Sequence, residues 1–114
     1  ASIYLPNGNP LGTEKFPYKL AWFQRLHDHA KELLTYEEPL ALCGDYNCIL
    51  TPDDAAKPED WANDALFQPE TRAALAGLDW EGRIAFAGEA TSTHPSTVHG
   101  AWLSGLRAAD DLLG

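Results

Sequence analysis

A chain of 114 residues suits one domain and excludes two complete catalytic ones. Hydrophobic residues make up 45% and charged residues 22%, the balance of a globular chain and not of a disordered one. The formal net charge of −9 is spread along the chain, with 6 Lys/Arg against 13 Asp/Glu in residues 1–80 and 2 against 4 in 81–114, so no basic footprint for nucleic acid exists.

The chain opens on SIYL (2–5), a short apolar run that reads as a strand and ends at the turn signal PNGNP. ASIYLPNG has no basic start, apolar run or cleavage site, so no signal peptide is expected and a cytoplasmic location is. Ala1 stands inside the strand, which leads us to expect a fragment. No apolar run approaches the roughly 20 residues that span a bilayer, so no membrane partner is expected.

From about Tyr18 to Tyr36 the periodicity predicts a helix. Phe16, Leu20, Phe23, Leu26, Ala30, Leu33 and Leu34 recur at three or four residues and form one apolar face, and Pro17 fits only a first turn. PLALCGD (39–45) reads as a buried strand closed by Gly44. Strand, helix and strand predict a βαβ unit with a parallel pair, which brings Tyr4–Asn9 and Asp45–Asn47 to one sheet edge. Cys43 and Cys48 lack a second pair, which argues against zinc and for buried free thiols.

Residues 50–69, with three prolines and five acidic residues, read as a long surface loop. PETRAALAGL (69–78) predicts a short helix with Pro69 at its first position and Gly77 near its end. RIAFAG (83–88) predicts a strand beside PLALCGD, with the preceding helix as the second crossover. Val98 to Leu113 predicts a last helix, with Val98, Ala101, Trp102, Gly105, Leu106, Ala109 and Leu113 on one stripe. The expected fold class is α/β, a small mostly parallel sheet of about three strands covered by helices. Sheet edges left uncovered predict self-association.

The chemistry-bearing residues fall into two groups. In GDYN (44–47) a carboxylate and an amide two residues apart, just past a buried strand, can point into one cleft. The carboxylate suits a hard divalent cation or a water proton, and the amide suits a phosphate oxygen. Asp and Asn also dominate ordinary turns, so the tetrapeptide alone leaves a structural role open.

IYLPNGNP, KFPYKLAWFQRL, LCGDYNCILTPDDAAKPEDW and NDALFQPETRAAL together resemble the middle of bacterial exonuclease III-type enzymes, over residues 1–78. That resemblance implies half of the four-layered sandwich of the endonuclease/exonuclease/phosphatase superfamily, cutting DNA phosphodiesters with Mg²⁺ or Mn²⁺. It implies that Asp45 activates the attacking water and touches the metal, that Asn47 holds the phosphate, and that Tyr4 lies near the scissile group, with Asn7 in the same turn. Trp61, Asp64 and Phe67 match as loop and packing residues. The family's glutamate metal ligand and its Ser-Asp-His are not in this sequence, and His94 and His99 stand in a different context. DNA is therefore a partner by resemblance only, and the expectation is a catalytically incomplete hydrolase segment.

EGRIAFAGEATSTHPSTVHGAWLSGLRAADDLL (81–113) reads as strand, turn and helix start, a place for an electron-rich ligand. It resembles the carboxy-terminal FAD-contacting motif of flavin amine oxidases. That likeness implies that Gly88 and Glu89 lie near the phosphate-ribityl part of FAD, and that Thr97, Val98 and His99 lie against the flavin ring. No Gly-rich dinucleotide fingerprint occurs in the chain, so stable FAD binding is not expected. The idiom changes between Ala76 and Gly82, which divides the chain into an exonuclease III-like segment, 1–78, and a flavin oxidase-like segment, 79–114, in one compact unit. Three readings follow: an incomplete nuclease segment, an FAD-binding segment, or a recombined polypeptide without enzymatic activity.

Overall fold

The computed structural model describes residues 1–78, 84–87, 103 and 105–110. Three parallel strands, β1 (Ser2–Tyr4), β2 (Leu40–Asp45) and β3 (Ile84–Ala87), form one sheet in the order β1-β2-β3. The long helix α1 (Lys15–Leu34) connects β1 to β2, and α2 (Pro69–Ala76) lies between β2 and β3. The α/β class and both crossovers thus follow the expectation.

The helix α1 forms where the 3.6-residue period is unbroken, with Pro17 in its first turn, where a missing N–H costs nothing. Its buried stripe is Lys19, Phe23, Leu26, Ala30 and Leu34. Phe23, Leu26 and Leu34 close on Leu42 of β2 and on Leu75 and Leu78 at the end of α2, so both helices cover the same face of the sheet. Each such side chain contributes about 1.5–3 kcal/mol by leaving water. Pro69 opens α2 and Gly77 caps it, as expected.

The helices α1 and α2 cover one face of the sheet. On β2, Leu42 is buried while Cys43 is exposed, and on β1 Tyr4 is 69% exposed. Alternation puts Ser2, Tyr4, Cys43 and Asp45 together on the face opposite α1 and α2, since Ser2 registers with Cys43 and Tyr4 with Asp45. The expected pair of buried thiols is therefore corrected: Cys48 is buried, but Cys43 is exposed on the face away from α1 and α2.

The expected 50–69 loop is more ordered than its composition suggests. It is built from three 3₁₀ turns, Pro52–Asp54, Pro58–Trp61 and Ala65–Phe67. Asp64 caps the third by accepting from the Leu66 N–H at 2.9 Å. Arg72 donates Nε–H to the Leu50 carbonyl at 2.8 Å and stacks over the Phe67 ring at 5.2 Å from its centroid.

Residues 103 and 105–110 are helical, in line with the expected last helix. The expected stripe is corrected where it is described: Leu106 and Ala109 are exposed and Ala108 is buried. A shift of one position turns a helix by about 100°, so the buried side is not the one that the spacing suggested. Val98, Ala101, Trp102 and Leu113 lie outside the described residues, as do His94 and His99.

Gly44 is where β1 and β2 approach most closely. Its φ is +143°, and a Cβ there would run into the Ile3 carbonyl. Gly44→Ala should therefore destabilise the chain by at least about 2 kcal/mol through strain and strand displacement. The check is a lowered urea midpoint with the slope of the transition unchanged.

Candidate functional site

Parallel strands deliver their carboxyl ends to one edge, and the candidate residues of the first segment gather there. Leu5 donates its N–H to the Asp45 carbonyl at 2.8 Å, extending the β1–β2 ladder past Tyr4. Asn47 turns the chain with a φ of +44°, a conformation that Asn tolerates better than most residues. Its N–H donates to Oδ1 of Asp45 at 2.8 Å, and its side-chain Nδ2 donates to the Leu5 carbonyl at 2.6 Å. Tyr4–Asn9 and Asp45–Asn47 are thus neighbours, as the βαβ reading expects.

Four candidates share this edge in different states. Tyr4 and Asn7 are exposed, Asp45 is half-buried, and Asn47 is buried. Asn7 accepts from the Asn9 N–H on its Oδ1 at 3.0 Å. Tyr46, between Asp45 and Asn47, is fully buried and donates its hydroxyl to the Leu42 carbonyl at 2.5 Å. That burial pushes its phenol above the ordinary range, so it plays no acid–base part near neutral pH.

The residue that organises the edge is Lys19, which the sequence reading passed over. It is fully buried on the first turns of α1, and its ammonium donates to the Asn7 carbonyl at 3.0 Å and to the Asn47 carbonyl. Gly8 makes room for it, since a Cβ there would lie 2.7 Å from Lys19 Cδ. Burial lowers the lysine from 10.5 to about 8, while the nearby Cys48, Asp64 and Asp45 favour its proton. The signal was available: Lys19 stands four before Phe23 and seven before Leu26, in the middle of an apolar stripe.

A second link joins the edge to the 3₁₀ segment. Asn9 donates Nδ2–H to Asp64 Oδ1 at 3.0 Å and accepts from the Ala65 N–H at 2.8 Å. Asp64 therefore acts as a loop and packing residue, the role that the resemblance implied.

A divalent cation such as Mg²⁺ takes about six oxygen ligands, usually with more than one carboxylate or a phosphate among them. Here Asp45 offers one carboxylate with one oxygen already engaged, and the described residues hold no group of three His, Cys, Asp or Glu side chains that could hold an ion. The described residues alone do not make up a metal centre. Gly88, Glu89, Thr97 and Val98, the positions implied for FAD, lie outside the described residues. The strand before them, β3, pairs in parallel with β2 from Leu40↔Ile84 to Cys43↔Ala87 and so runs toward the same edge as Asp45.

The fold and edge define a small α/β domain with a parallel sheet. An AP endonuclease from Archaeoglobus fulgidus superposes with a TM-score of 0.62 and 28% identity over 68% of this chain and 30% of that one. The family model of flavin containing amine oxidoreductases matches residues 22–113, well beyond the 81–114 segment that carried the resemblance, and the chain belongs to that family. Histone demethylase-like protein A of Aspergillus fumigatus is 67% identical over 33 residues, 28% of this chain and 3% of that protein. Lysine-specific histone demethylase 1 homolog 2 of Arabidopsis thaliana is 41% identical over 64 residues, 46% of this chain and 9% of that protein. The chain thus spans less than a tenth of these curated relatives.

The sign of the Lys19 effect with pH is definite. Between about 8 and 10.5 the unfolded chain holds the lysine's proton more firmly than the folded chain, so this group's contribution to stability rises with pH across that window. The slope is at most about 1.4 kcal/mol per pH unit. Urea midpoints of the native chain relative to Lys19→Met should move upward from pH 8 to pH 10; a flat or falling difference contradicts it.

Proposed function

We propose that this chain is a recombined polypeptide, an AP-endonuclease-type sheet edge joined near residues 76–82 to a flavin oxidase-type segment, and that its 114 residues form a folded scaffold without phosphodiesterase turnover. The observation that carries this reading is the internal use of the edge's polar groups. Asp45 Oδ1 is taken by the Asn47 N–H, the Asn47 amide by the Leu5 carbonyl, and Lys19 by two backbone carbonyls. One half-buried carboxylate remains to face a substrate, and a hydrolytic site without preorganised charge loses most of its rate. The acidic surface adds repulsion toward a polyanion.

Incubation with an abasic-site duplex in Mg²⁺, and separately in Mn²⁺, should give no incision above the protein-free control. Metal-dependent cleavage that disappears in Asp45→Ala would overturn the proposal and restore the nuclease reading.

A second reading, FAD binding by the segment from β3 onward, is favoured by the family match and by the 67% identity over 33 residues. The absence of a Gly-rich phosphate cradle in the sequence weighs against it. The purified chain should be colourless and leave the fluorescence of added FAD unquenched at micromolar protein. Retained yellow colour or saturable quenching decides for the flavin reading.

A further inference from the structure

We propose that Asn7 is a self-modification site, where the fold promotes conversion of the asparagine to aspartate and isoaspartate through a cyclic imide formed with Gly8. The inference is independent of the readings above and stands on three features of one turn.

The nucleophile would be the Gly8 backbone nitrogen. Glycine has no Cβ to obstruct ring closure, and among the described residues none accepts a hydrogen bond from the Gly8 N–H. The carbonyl of the same peptide unit, that of Asn7, accepts from the buried Lys19 ammonium at 3.0 Å. When the Gly8 amide loses its proton, negative charge spreads onto that oxygen. A cation held there without bulk water stabilises the anion far more than solvent would. Lys19 thus raises the fraction of reactive amide anion at a given pH.

The electrophile is the Asn7 side chain. Asn7 is exposed, so its ammonia can leave and water can enter. Its Oδ1 already accepts from the Asn9 N–H at 3.0 Å, where charge develops as Cγ becomes tetrahedral. The Gly8 nitrogen gives up its proton to hydroxide and attacks Cγ. The N–Cγ bond forms, the Cγ–Nδ2 bond breaks, and Nδ2 departs as ammonia with a proton from water. A water molecule then adds to either ring carbonyl and opens the ring, to aspartate or, with the backbone passing through the former side chain, to isoaspartate. No oxidant or cofactor is required.

The product changes the edge. Either outcome adds a carboxylate in the turn after β1, and the isoaspartate lengthens the segment that holds Lys19. Asn9 cannot react in the same way, because Pro10 follows it and has no N–H to lose. Asn47 is buried and precedes Cys48, and Asn63 is exposed but precedes Asp64, so neither has a glycine nitrogen beside it.

The test is timed incubation of the full chain at neutral pH, folded and in concentrated urea, with peptide mapping by mass spectrometry and chromatographic separation of the two products. The expected result is conversion at Asn7 ahead of Asn47 and Asn63, faster in the folded chain than in urea. Lys19→Met should slow the folded reaction by roughly tenfold, the scale of one charge-assisted hydrogen bond, and leave the rate in urea unchanged. Folded Asn7 reacting no faster than in urea overturns the proposal, and so does a folded Lys19→Met that keeps the native rate. If that variant does not fold, the comparison of native chain with and without urea decides alone.

Discussion

A cationic side chain without contact with water must be hydrogen-bonded, or the fold that encloses it will not form. Lys19 meets that demand with the carbonyls of Asn7 and Asn47, which belong to loops far apart in the chain. The need to satisfy one ammonium therefore draws the end of β1 and the end of β2 together beneath the start of α1. Gly8 is present because the lysine stem occupies the space beside it, and Asn47 turns with positive φ so that its carbonyl and amide can both reach inward. Much of the local geometry at the sheet edge follows from that single buried charge.

The same economy shapes a cluster that resembles a hydrolytic site. Asp, Asn and Lys side chains serve both catalysis and loop architecture, and a group engaged in the second role is less available for the first. At this edge Asp45 orders the turn, Asn47 holds β1, and Asn9 with Asp64 fastens the third 3₁₀ turn. Tyr4, Asn7 and the free side of half-buried Asp45 face outward.

Much of this architecture was legible in the sequence. The spacing of Phe23, Leu26, Ala30 and Leu34 announces α1, Pro69 and Gly77 bracket α2, and the apolar runs of β2 and β3 mark two strands. Order along the chain then gives the parallel pairing, and with it the meeting of Asp45 and Asn47 with Tyr4 and Leu5. What escaped were features that depend on which face an element turns inward. Lys19 sits on an apolar stripe, but a lysine in a periodic pattern is usually solvated, and only the two carbonyls opposite it explain its burial. Cys43 is one residue from buried Leu42, and strand alternation places it on the side away from α1 and α2. Composition also concealed the 3₁₀ turns of 52–67, because prolines and acidic residues that suggest an open loop are suited to short capped turns as well.

The pairing of β3 with β2 has a consequence for ancestry. A parallel ladder is made of backbone N–H and C=O groups, which every residue except proline supplies alike. Residues 40–43 of β2 offer those groups to residues 84–87 without asking for particular side chains. Loops held by Lys19 or Asn9 cannot be exchanged in that way, since their contacts need particular side chains. A sheet of this kind can accept a strand of foreign descent at one margin while its opposite margin stays bound to its own lineage. Likeness to two families within one small fold is a state that the hydrogen-bonding of the polypeptide permits.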